Sequence, residues 1–396
     1  MKIGLLTYHA ACNFGAQLQT LSTISFFQKR GYDIIVINWY PKDLERFYLQ
    51  SISHEQQVEH QNFINKFIPT TQRCYTLQDV KNVIDNLNIT HIIIGSDAVF
   101  SYIPILKRIH LSRKTIIAYS NVSSDHKIPN PFWGDFKYDK EETPTIIGLS
   151  VSAQYLDLEK CLFVEKNKMR KSLEKFKYIT VRDRWTQSII KNLINKECII
   201  TPDPVFGFND NVHLQEKKED IIKKYHLPEN YICLSFCRKI YDKTWFDSLY
   251  ELLHKNGYYV INLAMPEGCI NIKCDKMIDT PLSPLDWYNI IRYSNGYIGQ
   301  RMHPMIVALH NKVPIYIFDH YAYKKGGKNL ISSKIYDILE RAQLLSYYTN
   351  LSSSQQPQPH DVLSAIMTFN RKQEEIFTQK YSSLYNQFMN NIIKIL

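Results

Sequence analysis

A chain of 396 residues, 44% hydrophobic and 22% charged, has the size and composition of two folded domains and is neither disordered nor fibrous. No apolar run approaches the roughly 18 residues of a membrane-crossing helix, which excludes an integral membrane protein of helical type. Lys+Arg 48 against Asp+Glu 38 gives +10, which favours anionic partners (phosphorylated small molecules, acidic membrane surfaces, nucleic acid) or is simply a basic surface.

The run Ile3–Leu6 is too short for a signal-peptide core, so a cytoplasmic location is expected. Lys2–Thr7 reads as a strand, His9–Gly15 as a loop, and Leu18, Leu21, Ile24 and Phe27 mark one face of a helix stopped by Gly31. Asp33–Asn38 is a second buried strand, completing a βαβ unit and with it a parallel sheet. A helix over Leu77–Leu87 follows, with strands at His91–Gly95, Thr115–Tyr119 and Thr145–Ser150. A long helix over Leu156–Phe176, a strand at Tyr178–Val181, a helix from Asp183 and a strand at Glu197–Ile200 close the first half.

Pro202, Pro204 and Pro228 bracket the polar stretch Asn209–Lys224 and mark a boundary. Beyond it the pattern restarts. Strands are predicted at Tyr231–Phe236, Tyr258–Leu263, Gly296–Gly299 and Pro314–Phe318, with helices at Thr244–Lys255, Pro284–Tyr293 and Met302–His310. Leu351–Pro359 is a linker by composition, and Val362–Ile395 reads as one long helix packing back on the body. The expected fold class is α/β, with two Rossmann-like domains facing across a cleft. The first covers residues 1–203, the second 204–350, and 351–396 form the linker and terminal helix. The eight cysteines are scattered without ligand spacing, so reduced, mostly buried thiols and no structural zinc are expected.

In such sheets ligands bind beyond the carboxyl ends of the strands, which directs attention to the loops there. Arg301 and His303 stand between Gly296–Gly299 and a helix start, where free backbone N–H groups favour anions. They either bind and transfer protons or merely cap and pack. Arg238, first after another apolar run, would converge on the same region, whereas Lys239 reads as a solvated charge. In the first half Asn13 suits an N-cap and Gly15 permits close approach of backbone or ligand. His9 reads as packed or surface-exposed. Asp97 is either a general base or a cap, Asp203 a hinge or domain-contact residue, and Arg182 and Arg184 partners in an interdomain salt bridge. Lys324–Lys328 reads as a solvated loop. Neither a dinucleotide fingerprint nor a Walker motif is present.

KIGLLTYHAACNFGAQLQ (Lys2–Gln19), HIIIGSDAVF (His91–Phe100), ITVRDRWT (Ile179–Thr186), TPDPVF (Thr201–Phe206) and SPLDWYNIIRYSNGYIGQRMHPMIVALHNKVP (Ser283–Pro314) together resemble the polysaccharide pyruvyl transferase family. Arg301-x-His303 is the most telling piece. Ala98-Val99-Phe100 departs from the amide and tryptophan that relatives commonly carry there. The resemblance implies a GT-B-like transferase that needs no metal or cofactor and uses phosphoenolpyruvate as co-substrate. Arg238, Arg301 and Met302 would bind that donor, His303 would be the general acid, and Asp97 would assist hydroxyl deprotonation. Asn13, Phe14 and Gly15 would face the acceptor. Family acceptors are galactose, mannose or N-acetylmannosamine units of capsular, exopolysaccharide and cell-wall glycans, often on a polyprenyl diphosphate lipid; a 4,6-ketal on lipid-linked galactose is the leading expectation.

The residue types suit that chemistry. Protonating the enol methylene leaves positive charge on the adjacent carbon for a hydroxyl to attack, so one proton donor and a few anion clamps suffice. The enzyme alternative, a nucleotide-sugar GT-B glycosyltransferase, would want an acid to hold a ribose, and only Asp319 stands out. A nucleic-acid module is disfavoured, because the arginines stand singly at strand ends. The amphipathic terminal helix, with Ile376, Phe377, Leu384, Phe388 and Ile392, permits peripheral contact with an inner membrane face, though packing on its own domain is preferred.

Overall fold

The computed structural model describes residues 1–110, 118–136, 143–154, 156–213, 216–238, 240–320, 323–325, 328–330, 333–352 and 355–396. Six parallel strands form the first sheet: β1 (Lys2–Leu6), β2 (Asp33–Val36), β3 (Ile89–Asp97), β4 (Thr145–Val151), β5 (Phe176–Val181) and β6 (Ile199–Ile200), in the order β2-β1-β3-β4-β5-β6. A second six-stranded parallel sheet holds β7 (Tyr231–Ser235), β8 (Tyr259–Leu263), β9 (Lys276–Ile278), β10 (Gly296–Gly299), β11 (Ile315–Asp319) and β12 (Tyr348–Asn350), ordered β9-β8-β7-β10-β11-β12. Both sheets reverse direction of winding once, between β1 and β3 and between β7 and β10, and loops diverge there to leave a crevice.

Helices of the first half are α1 (Phe14–Gln28), α2 (Lys42–Leu49), α3 (His54–Phe67), α4 (Leu77–Asn86), α5 (Ile105–Arg108), α6 (Phe163–Leu173) and α7 (Arg184–Ile194). The expected long helix is shorter than its pattern: Leu158–Lys160 form a separate 3-10 turn and α6 starts at Phe163. No element was anticipated over α2 and α3, whose sequences are polar. Of the strand expected at Thr115–Tyr119, residues 115–117 lie outside the described residues, and Ala118–Tyr119 pair antiparallel with Ile109–His110, not with the parallel sheet.

After the boundary come α8 (Phe208–Asn211), α9 (Lys218–Tyr225), α10 (Lys243–Lys255), α11 (Pro284–Arg292), α12 (Met302–His310) and α13 (Lys334–Ala342). Lys239, Gly326 and Gly327 lie outside the described residues; Tyr323–Lys325 and Lys328–Leu330 form an antiparallel ribbon. The terminal region is two helices, α14 (Pro359–Met367) and α15 (Arg371–Ile395), because Asn370 leaves helical geometry and its side chain caps α15 by accepting from the Gln373 N–H.

That break has a consequence. While α14 packs on the second domain beside α10, α15 runs back against the boundary turn Pro204–Gly207 and the first domain, where Tyr385 meets Phe26 and Phe388 stacks on Tyr178. Phe377, Tyr381, Tyr385, Phe388, Met389 and Ile392 are buried and Leu384 partly so, so most of the apolar stripe that allowed a membrane role is used for internal packing, while Ile376 stays exposed.

α1 is buried almost all round, not only on the predicted face, since it lies between its own sheet and the second domain. Phe14 packs on Trp287 of α11 with ring centroids 5.1 Å apart, and one apolar cluster runs continuously through both halves. Burying each such side chain stabilises the arrangement by about 1.5–3 kcal/mol.

Candidate functional site

In the second domain, the loop after β10 opens α12. Arg301 stands at its N-cap with φ +72°, a left-handed backbone that costs a non-glycine residue about 1–3 kcal/mol. The Tyr297 hydroxyl donates to the Gln300 carbonyl at 3.0 Å and pins the turn. The Arg301 guanidinium meets Glu267 Oε1 at 2.5 Å, on the loop after β8. Met302 and His303 occupy the first turn of α12, and Pro304 sits there as expected.

His303 is mostly buried and crosses the domain boundary. Its ring lies so close to Gly15 that a Cβ on that glycine would stand 2.0 Å from His303 Cγ. Only a residue without a side chain fits. The Nε2 atom is 3.7 Å from Asp203 Oδ2, an ion-pair distance rather than a hydrogen bond, and finds no hydrogen-bond partner among the described residues.

Asp203 belongs to a buried charge network. It accepts from Arg182 Nη1 at 2.7 Å and from the Val205 N–H at 3.0 Å; Arg182 Nη2 reaches Asp97 Oδ1 at 3.1 Å. Lys334, the first residue of α13, brings its ammonium to 3.9 Å from Asp97. Burial alone would raise the pKa of both carboxylates, but cationic neighbours win: Arg182 and Lys334 hold Asp97 below its usual range, and His303 and Arg182 hold Asp203 well below. Burial together with Arg182 pulls the Lys334 ammonium down to about 8.

These groups surround a cavity of about 440 Å³ between the domains, lined by Asp97, Arg301, Met302, His303 and Lys334 on the charged side. Its opposite wall is aromatic and polar. Tyr8 donates to Asp125 at 2.8 Å, beside His126, and Phe47 of α2 stands 62% exposed next to Tyr48. Among the described residues no group of three His, Cys, Asp or Glu side chains is placed to hold a metal ion.

The structure brings Asn13, Asp97, Arg301, Met302 and His303 to one cavity and sets Gly15 against His303. Asn13 accepts from the Ala16 N–H at 3.1 Å, as its capping reading required. Phe14 is corrected: it is 1% exposed, in the apolar core against Trp287 and His60, and cannot face an acceptor. Asp97 lines the cavity and is ion-paired with Arg182 and Lys334, which hold its pKa below the usual carboxylate range. Arg238 is exposed and does not line the cavity; its Nε donates to His320 Nε2 at 2.9 Å, and Gln300 shares that acceptor. His9 is buried and hydrogen-bonded to Thr7 and Asn38.

Residues 13–321 match the polysaccharide pyruvyl transferase family. The chain is a polysaccharide pyruvyl transferase family member. No curated protein matches it. Among solved structures, the UDP-GlcNAc 2-epimerase of Neisseria meningitidis bound to UDP-GlcNAc is similar, with TM-score 0.57 and 9% identity over all of both chains. The UDP-GlcNAc 2-epimerase of Methanocaldococcus jannaschii gives TM-score 0.53 and 8% identity over 94% of each chain. At such identity they show the fold alone, which is GT-B: this pyruvyl transferase family member has two parallel-sheet α/β domains with the cavity between them.

Two site groups, Lys334 and Glu267, escaped sequence reading. Lys334 follows the polar pair Ser332-Ser333, with no strand or glycine signal beside it. Glu267 lies in Met265-Pro266-Glu267-Gly268, a turn signal after a strand that could have been weighed. Asp203 and Arg182 were seen but read as structural. Arg184 does bridge the domains, reaching Asp337 at 2.6 Å and also Glu340 on α13, whereas Arg182 turns inward to two carboxylates of its own half. Asp319 is buried and accepts from the Ser333 and Tyr348 hydroxyls, so its carboxylate is engaged inside the domain.

Proposed function

We propose that this family member transfers the enolpyruvyl group of phosphoenolpyruvate onto two hydroxyls of a hexose, forming a cyclic ketal in a bacterial surface glycan. The observation that carries the reading is the convergence of Arg301, His303 and Lys334 on one interdomain cavity. Arg301 offers a planar fork to phosphate or carboxylate, and Glu267 occupies it until the anionic donor arrives. Lys334 supplies a second cation, mostly protonated at neutral pH.

His303 gives its proton to the methylene carbon of the donor, and the first sugar hydroxyl attacks the adjacent carbon. The second hydroxyl closes the ring as phosphate departs. Of the two hydroxyl protons released, one restores His303 and the other leaves with phosphate. Asp203 faces His303 Nε2 from 3.7 Å and is itself fixed by Arg182, so it acts as a positioning residue.

The acceptor hexose would rest against Phe47 and Tyr48 and hydrogen-bond toward Asp125 and His126. The axial and primary hydroxyls of galactose suit 4,6-closure, and a polyprenyl diphosphate carrier is the acceptor form proposed. Incubation with phosphoenolpyruvate and a panel of galactosides tests this. Phosphate release with a ketal mass gain on the sugar supports it; turnover of a sugar nucleotide instead, with phosphoenolpyruvate untouched, overturns it.

A further inference from the structure

A cluster of exposed apolar side chains lies at the tips of α5 and α6, where a water-soluble surface gains nothing from it. Phe163 is 75% exposed, Val164 62% and Leu106 52%, with Leu162 and Ile109 also exposed. The tips are joined deliberately by one buried carboxylate. Glu165 accepts from the Tyr102 hydroxyl, from the Ile105 N–H at 2.9 Å and from the Leu162 N–H at 2.7 Å, tying the start of α5 to the start of α6. That tie holds Leu106 and Phe163 outward on a rigid base.

The surroundings of the patch are basic. Around the patch stand Lys107, Lys160, Lys166 and Lys168, against Asp157, Glu159 and the buried Glu165. Lys107 and Lys166 both act on the Cys161 thiol, so the cations of α5 and α6 share one neighbourhood. Asp157 pairs with Lys160 at 4.0 Å and offsets part of this charge. Apolar side chains projecting from a lysine-rich helix start are the arrangement that binds at a lipid headgroup boundary, with the rings and aliphatic groups in the acyl region and the ammonium groups on anionic headgroups.

Position completes the argument. α6 follows β4 by way of Gln154, and Gln154 lines the interdomain cavity. The α6 tip therefore stands on the same carboxyl edge of the first sheet as Asp97. We infer that the joined α5–α6 tips dock the protein on an anionic lipid bilayer, with the cavity held close to that surface. This surface is distinct from the terminal helix, whose stripe is mostly buried.

The inference does not rest on pyruvyl transfer, because vesicle binding is read without turnover. The full chain is co-sedimented with phosphatidylglycerol-containing vesicles and with phosphatidylcholine vesicles, as wild type and as the Phe163→Glu/Val164→Glu double variant. Wild type should bind the anionic vesicles, less so as salt is raised, and the double variant should lose at least about tenfold in partitioning. An unchanged far-UV spectrum and thermal midpoint, and unchanged turnover of a soluble acceptor, show that the variant remains folded. Wild type that ignores anionic vesicles, or a variant that sediments equally well, overturns the inference. So does concentration-dependent self-association of the wild type that the same variant abolishes, since the patch would then meet a second copy.

Discussion

The two crevices of this molecule share a topology and differ in chemistry. At the second-domain switch point the residues facing the cavity are cationic or neutral, Arg301, Met302 and His303, and Arg301 rests on a single exchangeable acid, Glu267. On the first-domain side the charges are acids, Asp97 at the end of β3 and the fully buried Asp203 after β6, both clamped by Arg182. One set can be handed to an incoming anion. The other cannot leave its partner without stranding a buried charge, a cost of about 3–5 kcal/mol. The same strand-end position thus serves as a grip in one half and as a frame in the other, and burial decides which.

The largest expected effect tests the grip at its proton donor. His303→Ala should lower kcat by ~10²–10⁴-fold with donor affinity nearly unchanged, read by steady-state kinetics. Full turnover in that variant removes the role. Arg301→Ala should instead raise donor KM by about 10–100-fold, the loss expected for charge-assisted hydrogen bonds; a wild-type KM contradicts it.

Gly15→Ala probes the frame through the grip. The new methyl must displace the His303 ring, so kcat should fall by roughly tenfold or more while donor KM holds. If kcat is unchanged, the close approach of the two domains at this point is wrong. The smallest effect is a pH dependence. Lys334 loses its proton as pH rises through about 8, so donor KM should climb above that pH by up to about tenfold per unit, less where donor binding holds the proton in place. In Lys334→Gln the slope should vanish, and KM should be raised already at neutral pH. The same group affects stability with a definite sign: its folded pKa lies below the unfolded value of about 10.4, so stability rises between pH 8 and that value as the buried charge is lost.

Much of this was legible along the chain. The alternation of short apolar runs with helical periods predicts ten of the twelve sheet strands. The two exceptions are β9 and β12, only three residues each and lacking an apolar run long enough to register. Arg301 and His303 were legible because a strand, a turn and a helix-start proline surround them. Phe14 was misread because its neighbours differ from it: Asn13 lines the cavity and Gly15 abuts His303, while a helix start turns successive side chains by about 100° and points Phe14 into the core.

What the linear order of residues determined by itself is local: which segments become strands and helices, where each sheet ends, and hence which loops stand at a carboxyl edge. Those follow from periodicity, capping and turn chemistry, which act over a few residues. Tertiary structure alone decided that Lys334 enters the cavity, that Asp203 faces His303, and that Gly15 must remain bare. Each depends on contacts between residues one hundred or more positions apart, where burial and Coulomb forces act through space, and no local pattern encodes them.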